Sequence, residues 1–150
     1  MQYQQWSAPH FRPINHFYRS QKHKGSASAD EIVFVALSSD YNQSHIEAAK
    51  EDIQAAVRLV PNDQYFWLRS LYVREELRAQ GIGSALMKTV HSHIDATIYC
   101  FPYKHLEVFY KTLGYELVEI DQLPNSLLQL YQRYQRKSDD ILAMKRSASC

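Results

Sequence analysis

Apolar residues are concentrated in short runs along the chain, and six of these runs have the composition of β-strands. β-branched and aromatic side chains are common in them, and turn-forming residues bound several of them. The run YFWLRSLYV is almost continuously apolar, as expected of a strand covered on both faces. The run IQAAVRLV is rich in alanine and therefore also suits a helix. The predicted strands lie at 31–37, 53–60, 65–73, 96–101, 115–120 and 141–144.

Apolar residues recur at helical spacing in four other segments, each with one predicted buried face. Proline in the first turn and glycine after the last turn bound two of these helices, from Pro13 to Gly25 and from Pro102 to Gly114. The four faces consist of Ile14, Phe17 and Tyr18; Ile82, Leu86, Val90 and Ile94; Leu106, Phe109, Tyr110 and Leu113; and Leu127, Leu130, Tyr131 and Tyr134.

The order of these elements predicts one mixed α/β domain over residues 1–150. The strand at 65–73, the helix that follows it and the strand at 96–101 form a βαβ unit, so we expect these strands to be parallel. Residues 38–51 are polar, and a helical turn explains them as well as a long hairpin loop does.

Composition and charge restrict the functional class. The net charge is +1, whereas a dedicated nucleic-acid binder usually has a strongly basic face. No apolar run reaches the roughly 18 residues that span a membrane, and the N-terminus lacks the apolar core of a signal peptide. Cys100 and Cys150 are too few for a disulfide framework, which favours a reducing cytoplasm. We therefore expect a cytoplasmic protein that binds neither nucleic acid nor membrane.

The stretch LRAQGIGSALM, residues 77–87, places two glycines between a predicted strand and a predicted helix. Backbone N–H groups in a first helical turn lack intrahelical partners, and glycines let a phosphate approach them closely. On this chemistry alone, a phosphate site and a plain turn explain the stretch equally well. A dinucleotide fingerprint is excluded because Leu86 replaces the third glycine, and the Gly-Lys-Ser/Thr of a P-loop is missing.

Two motifs together resemble the GCN5-related N-acetyltransferases. Arg78, Gly81 and Gly83 match the Arg/Gln-x-x-Gly-x-Gly/Ala signature of that family, and FYKTLGY at 109–115 is similar to its second motif. The resemblance is sharp over residues 67–118 and coarse elsewhere. It implies a mixed central sheet, mostly antiparallel with one splayed parallel pair, and helices on both faces. It also implies acetyl-CoA as acyl donor, a primary amine of a small molecule or peptide as acceptor, and no metal.

The resemblance assigns a role to each matching position. The backbone of Leu71, Tyr72 and Val73 would pair with the pantetheine arm as an added strand. The backbone amides of the following loop and first helical turn would bind the pyrophosphate of CoA. These loop positions are Arg78, Ala79, Gln80, Gly81, Ile82, Gly83 and Ser84.

Tyr110 matches the family tyrosine that often acts as general acid toward the departing thiolate. A phenol with a pKa near about 10 is protonated at neutral pH and can donate to a thiolate with a pKa of about 8.5. Helical spacing alone would make Tyr110 a core residue, and the motif favours the catalytic role.

The chain departs from the family pattern at several positions. Tyr103 stands where many members have an asparagine that contacts the cofactor, and Leu106 replaces a common alanine. Many members also carry a glutamate base on the strand before the loop, but 65–73 has no carboxylate. Glu107 and His105 are nearby candidates for this base, although residues of these types more commonly lie on a solvated helix face.

A non-catalytic module that binds CoA or a peptide is the alternative function. Both a monomer and a homodimer fit the sequence.

Isolated charges support weaker hypotheses. Arg58 and Arg69 fall on predicted strands, where a charge needs a partner. An internal salt bridge or an outward-facing position is slightly favoured over a role in binding an acceptor carboxylate. His91 and His93 face different sides of a helix, so their spacing predicts no metal site. A basic run near the N-terminus contains no acid before Asp30, and a solvated helix face is the commoner interpretation of it. Its residues could instead contact the 3′-phosphate of CoA or an anionic partner; they are Arg12, Arg19, Lys22, His23 and Lys24.

Overall fold

The computed structural model describes residues 1–9, 11–23, 25–39 and 52–149. The chain divides into two compact units, one made of Met1–Pro61 and Leu68–Ile94, the other of Asn62–Trp67 and Asp95–Cys150. A single acetyltransferase domain over 1–150 stays a prediction. The two alternatives for residues 38–51, a helical turn or a long hairpin loop, fall mostly on residues 40–51, which lie outside the described residues.

The described residues contain seven strands and four α-helices. In chain order they are β1 Gln2–Trp6, α1 Arg12–Ser20, β2 Ile32–Leu37, β3 Ile53–Pro61, β4 Phe66–Val73, α2 Ile82–His93, β5 Ile98–Cys100, α3 Glu107–Thr112, β6 Glu116–Leu117, α4 Asn125–Lys137 and β7 Met144–Arg146. The strands form one open sheet in the order β1-β2-β3-β4-β5-β7-β6, mostly antiparallel with one parallel pair. This arrangement confirms the predicted mixed α/β class.

The sequence pattern missed β1, whose residues QYQQW are mostly polar. This strand lies at the edge of the sheet and runs antiparallel to β2, with Gln2 opposite Leu37 and Trp6 opposite Val33. Trp6 Nε1 donates a hydrogen bond to Gln4 Oε1 (3.0 Å). Polar side chains are common on edge strands, which have water along one side, so hydrophobic periodicity gives little signal there.

Helices cover both faces of the sheet in the first unit. Alternate residues of a strand point to opposite faces, and Val33, Val35 and Leu37 of β2 belong to the core cluster that includes the buried residues of α1. Phe34 points to the other face, where its ring meets His93 of α2 edge-on at 5.7 Å between centroids. Because β2 is buried on both faces, its sequence is a continuous apolar run.

The helix predicted from Pro13 to Gly25 ends earlier than expected. α1 stops at Ser20, and Lys22 then takes the left-handed region with φ 59°. His23 N–H donates to Tyr18 C=O (2.9 Å), which satisfies a carbonyl of the last turn. The predicted apolar face of α1 is buried as expected. Gly25 is therefore not the residue that ends this helix.

α2 follows the predicted pattern closely. The four predicted face positions are all buried, at 7% exposure or less. Ile94 serves as the C-cap, and its N–H donates to Val90 C=O (2.9 Å).

Several predicted elements of the second unit are shifted or shortened. The helix expected from Pro102 begins at Glu107, after a 3₁₀ turn over Lys104–Leu106. Gly114 follows it with φ 94°, as predicted for the glycine after a helix. The strand expected at 115–120 is reduced to the two residues of β6.

The final strand begins three residues later than predicted. The segment 141–144 contributes an isolated bridge between Ile141 and Tyr103, whereas β7 pairs with β5 antiparallel, Cys100 opposite Met144. The C-terminal tail is held near its end: Ser149 donates to Asp95 Oδ1 through N–H (2.9 Å) and Oγ (2.7 Å). Within the described ranges, no helix has the length and apolar character needed to cross a membrane.

A buried ion pair lies in the core of the first unit. Arg58 of β3 donates to Glu31 Oε1 through Nη2 (2.8 Å) and Nε (3.1 Å), and the two residues are 3% and 5% exposed. Ser28 N–H donates to the other carboxylate oxygen, Oε2 (2.8 Å). The internal salt bridge expected at Arg58 is therefore observed.

We expect Glu31→Gln to lower the free energy of unfolding by about 3 kcal/mol, because it leaves the buried Arg58 charge without a counter-charge. Urea denaturation at neutral pH measures this difference. Glu76→Gln makes the same chemical change at an exposed position and should shift stability by less than about 0.5 kcal/mol. Equal unfolding midpoints for Glu31→Gln and the unaltered chain would contradict the expected role of the pair.

Candidate active site

The loop between β4 and α2 contains two residues in the left-handed region. Ala79 has φ 63° and Gly81 has φ 83°. For alanine this conformation costs about 1–2 kcal/mol, so the surrounding structure must favour it. Sparsely populated backbone conformations of this kind cluster at functional sites, which makes the loop a candidate for ligand binding.

The first turn of α2 presents backbone amides that the helix does not use. The first bond at this end runs from Ala85 N–H to Gly81 C=O (3.0 Å), so the amides of Ile82, Gly83 and Ser84 precede the intrahelical ladder. No side chain caps this end, and no acidic residue lies in the first turn. The free N–H groups and the positive end of the helix dipole together favour an anion.

The space in front of this turn is open at Gly81. A Cβ built on Gly81 would meet no atom within 4 Å, and Gly81 is exposed. A bulky anionic group can therefore reach the amides without displacing protein atoms. The predicted pyrophosphate position fits the residues present.

Arg78 lies along the end of β4. Its Nε donates to Val73 C=O (3.1 Å), and its guanidinium carbon is 4.9 Å from the centroid of the Tyr72 ring. The positive charge of Arg78 thus lies beside the predicted pantetheine-binding residues. The bond to Val73 also engages one backbone group that the pantetheine arm is predicted to use.

β4 departs from regular strand geometry at Ser70, which has φ 58°. Trp67 and Leu68 before it are buried, whereas residues 71–73 after it are only partly buried. A left-handed residue inside a strand is typical of a bulge, which bends the strand and interrupts its pairing. The predicted pantetheine-binding residues follow directly after this kink.

Buried side chains hold the Ser70 kink in place. The hydroxyl of Tyr18 donates to Ser70 C=O (2.7 Å), and Arg58 Nη1 donates to Ser70 Oγ (3.2 Å). Arg58 also makes the ion pair with Glu31, so one guanidinium joins the kink to the core of the first unit. No pattern in the sequence indicates this network, because its members are far apart along the chain.

Gly25 is the point of closest approach to this network. A Cβ on Gly25 would lie 2.7 Å from Arg58 Nη1 and 2.9 Å from Ser70 Oγ, distances that real Cβ atoms do not show. Glycine is needed here for space, since Arg58 is fixed by its ion pair and cannot move aside.

His23, which sequence reasoning placed only in a basic run, packs against Tyr72, one of the predicted pantetheine-binding residues. Its ring lies 4.9 Å from the Tyr18 ring and 5.3 Å from the Tyr72 ring, between centroids. Burial, followed by the positive charges of Arg58 and Arg69, lowers the pKa of His23. Gly25 N–H donates to His23 Nδ1 (3.0 Å), so the neutral ring carries its hydrogen on Nε2.

Tyr110 belongs to the second unit and is 4% exposed. Its ring meets the rings of Phe109 and Tyr115 edge-on, at 5.1 and 5.3 Å between centroids. Burial, with the neighbouring Cys100 and Tyr115, raises the pKa of Tyr110 well above its usual value. No hydrogen bond to another described residue engages its phenol, which is therefore a protonated donor with unused capacity.

The weaker candidates for a base or a cofactor contact occupy solvated positions. Glu107 forms an ion pair with Lys111 (2.6 Å) one helical turn away. Tyr103 is 55% exposed and stacks on His105, with ring planes 14° apart. Within the described part of the chain, no group of three or more His, Cys, Asp or Glu residues is arranged to hold a metal.

Comparison with protein families shows to which family the chain belongs. A family model described as the acetyltransferase (GNAT) domain matches residues 29–117, more than half of the chain. The chain belongs to the GNAT family. The match includes β4, the loop at 78–81, α2 and Tyr110.

Solved structures share this GNAT fold. The aminoglycoside 6′-N-acetyltransferase of Enterococcus faecium is 15% identical with a TM-score of 0.66, and the match covers 97% of this chain and 96% of that one. GCN5 of Tetrahymena is 12% identical with a TM-score of 0.68, covering 99% and 97% of the two chains. N-acetylglutamate synthase of Neisseria gonorrhoeae, complexed with coenzyme A and N-acetyl-glutamate, is 10% identical with a TM-score of 0.62, covering 100% and 36%. At these identities the likeness shows the fold alone, and no curated protein sequence matches the chain.

We expect Gly25→Ala to lower the free energy of unfolding by about 1–3 kcal/mol, because the added methyl group overpacks the contact between Arg58 and Ser70. Thermal and urea denaturation measure the loss. Ser26→Ala, at the exposed neighbouring position, serves as the control and should be near neutral. If Gly25→Ala were as stable as Ser26→Ala, the close approach at Gly25 would have no structural role.

Proposed function

We propose that this GNAT protein transfers an acetyl group from acetyl-CoA to a primary amine of a small molecule or peptide. The observation that carries the proposal is the set of uncapped amides in the first turn of α2, with open space at Gly81. Such a turn binds anions, and the pyrophosphate of CoA supplies one. Two solved GNAT proteins with this fold, an aminoglycoside 6′-N-acetyltransferase and N-acetylglutamate synthase, were determined with coenzyme A.

The donor is held by backbone and by charge in this proposal. The amides of 78–84 bind the pyrophosphate, and the backbone of Leu71, Tyr72 and Val73 pairs with the pantetheine arm as an added strand. Arg78 then gives up its bond to Val73 C=O, and its guanidinium becomes available to a phosphate oxygen. The partial burial of residues 71–73 is consistent with this pairing.

The reaction is a direct transfer. The neutral amine nitrogen attacks the thioester carbonyl carbon, a C–N bond forms, and the C–S bond breaks. Tyr110 donates its phenolic proton, or a strong hydrogen bond, to the departing thiolate. The nitrogen releases a proton to solvent as the amide forms, and one proton returns to the tyrosine. The amine proton thereby ends on the thiol of CoA.

The raised pKa of Tyr110 sets the character of this step. A phenol that stays protonated throughout the neutral range is always available as a donor. It is also a weak acid, so we infer that it stabilises the thiolate mainly through the hydrogen bond, and that full proton transfer follows loss of the amine proton.

The alternative function is a module that binds CoA or a peptide without catalysis. One observation favours it: β4 carries no carboxylate that could accept the amine proton, and Glu107 is paired with Lys111. The two functions differ in a single product, since only the enzyme releases the free thiol of CoA in the presence of an acceptor amine.

We expect Gly83→Val to weaken acetyl-CoA binding by about tenfold or more, because the branched side chain obstructs the first-turn amides that hold a charged oxygen. Isothermal titration calorimetry gives the affinity. Gly83→Ala adds a single methyl group and should weaken binding less, so the two variants form a graded pair. Unaltered affinity in a folded Gly83→Val protein would remove the pyrophosphate assignment.

We expect Tyr110→Phe to lower kcat by about 10²–10⁴-fold, the range of a general acid, with little change in acetyl-CoA affinity. Release of CoA thiol over a panel of amines and peptides measures kcat, and calorimetry measures affinity. Phe109→Leu, one residue away, tests whether packing alone explains the loss. An unchanged kcat would exclude Tyr110 from the mechanism, and absence of thiol release with every acceptor would favour the binding module.

A further inference from the structure

Charge is strongly segregated at the start of the chain. Residues 1–29 contain four of the 17 lysines and arginines and none of the 16 acidic residues. The net charge of +1 conceals this asymmetry. An excess of one sign on a local surface raises the local concentration of oppositely charged ligands.

The exposed face of α1 forms one wall of a cavity of about 340 Å³. Arg12, His16 and Arg19 lie at spacings of four and three residues and line it together. Positions at this spacing share one face of a helix, and here that face is opposite the buried face of Ile14 and Phe17. The three nitrogen-bearing side chains are therefore directed toward the same space.

The other walls are apolar and fixed. Phe11, Pro9 and Ala27 line the cavity, and Phe11 is 5% exposed. Ala27 N–H donates to Asn15 Oδ1 (2.7 Å), which ties the opposing segment to α1. The cavity is thus bounded by ordered contacts between two parts of the first unit.

The basic side chains of the cavity lack protein partners in the part of the chain that the structure describes. Among the described residues, no hydrogen bond or ion pair engages the side chains of Arg12, His16 or Arg19. No described residue that lines the cavity is acidic. Two guanidinium groups on one helix face, without a counter-charge among the described residues, favour a ligand that supplies negative charge.

We propose that this cavity, which we call the α1 groove, binds a small organic polyanion with carboxylate or phosphate groups. Arg12 and Arg19 are two helical turns apart, about 10 Å along the axis, so the ligand presents anionic groups toward both ends of the groove. His16 lies between them and donates a further N–H. The apolar walls accommodate a short carbon skeleton.

The α1 groove is separate from the residues proposed to bind acetyl-CoA. Phe17, on the opposite face of α1, is the residue that meets Tyr72 and Arg74 near the end of β4. The groove therefore lies on the far side of the helix from β4. This geometry points to a second ligand site, not to an extension of the pantetheine site.

Citrate is the probe for the experiment, because its three carboxylates test the inferred chemistry. Calorimetry of the full chain with citrate at neutral pH and low salt should show saturable binding of one citrate per chain. Arg12→Gln together with Arg19→Gln should weaken this affinity by about tenfold or more, since two charge-assisted contacts are lost. Both arginines are exposed, so melting temperatures should stay unchanged and report that the double variant is folded.

Lys22→Gln is the matched control, because Lys22 is an exposed cation of the same segment but does not line the groove. It should change citrate affinity by less than about twofold. An equal loss in Lys22→Gln and in the double variant would show diffuse attraction without a built site and would overturn the proposal.

A competition experiment separates the groove from the CoA site. Saturating acetyl-CoA should leave citrate affinity unchanged. Displacement of citrate by CoA but not by dephospho-CoA would assign the groove to the 3′-phosphate of CoA and would overturn a second site. Absence of citrate binding in the unaltered chain would overturn it as well, whatever the outcome of the acetyl-CoA assays.

Discussion

The first unit depends on a single buried guanidinium. Arg58 reaches Glu31 before β2 and Ser70 within β4, and Gly25 is close enough that any side chain there would collide with it. Desolvating a charge is costly, and the cost is offset only when carboxylate and hydroxyl both bond to it. A partial version of this network would leave a buried charge unsatisfied. We infer that the network acts mainly to fix one conformation of β4 and contributes less to net stability.

That conformation determines what the end of β4 can do. Ser70 and Ala79 are two of the three non-glycine residues with positive φ in the described chain. Ser70 directly precedes the predicted donor-binding segment 71–73, and Ala79 lies within the second one, 78–84. Each conformation is unfavourable for an L-residue, so packing elsewhere must hold it. Tyr18 and Arg58 do so for Ser70. The kink precedes the partly buried residues 71–73, and the left-handed loop precedes the uncapped first turn of α2; we propose that these two segments bind successive parts of the donor.

Much of this architecture can be predicted from the sequence, and the failures have physical reasons. β2, β3, β4 and α2 follow from burial, because an element packed on one or both faces must show its period in its apolar residues. β1 was missed because an edge strand of glutamines is stabilised by its partner's hydrogen bonds. The predicted end of α1 was wrong because Lys22, not Gly25, takes the left-handed conformation after its last turn. The predicted start of α3 was wrong because a 3₁₀ turn over Lys104–Leu106 separates this helix from Pro102. The candidate site residues that belong to the two motifs could be predicted from the sequence. His23 and the Ser70 network were not, since contacts between distant segments determine them.

The two anion-binding features inferred for this chain use different chemistry, and this difference has consequences. At α2, backbone amides and the helix dipole recognise the anion, so the side chains at 79–84 can vary as long as the glycines keep the approach open. In the α1 groove, flexible arginines supply the charge, and recognition depends on those residues. Binding by exposed arginines weakens as salt screens them, whereas binding by fixed amides in a helical turn is less affected. A ligand in the groove would therefore respond to ionic conditions that leave the donor site nearly unchanged.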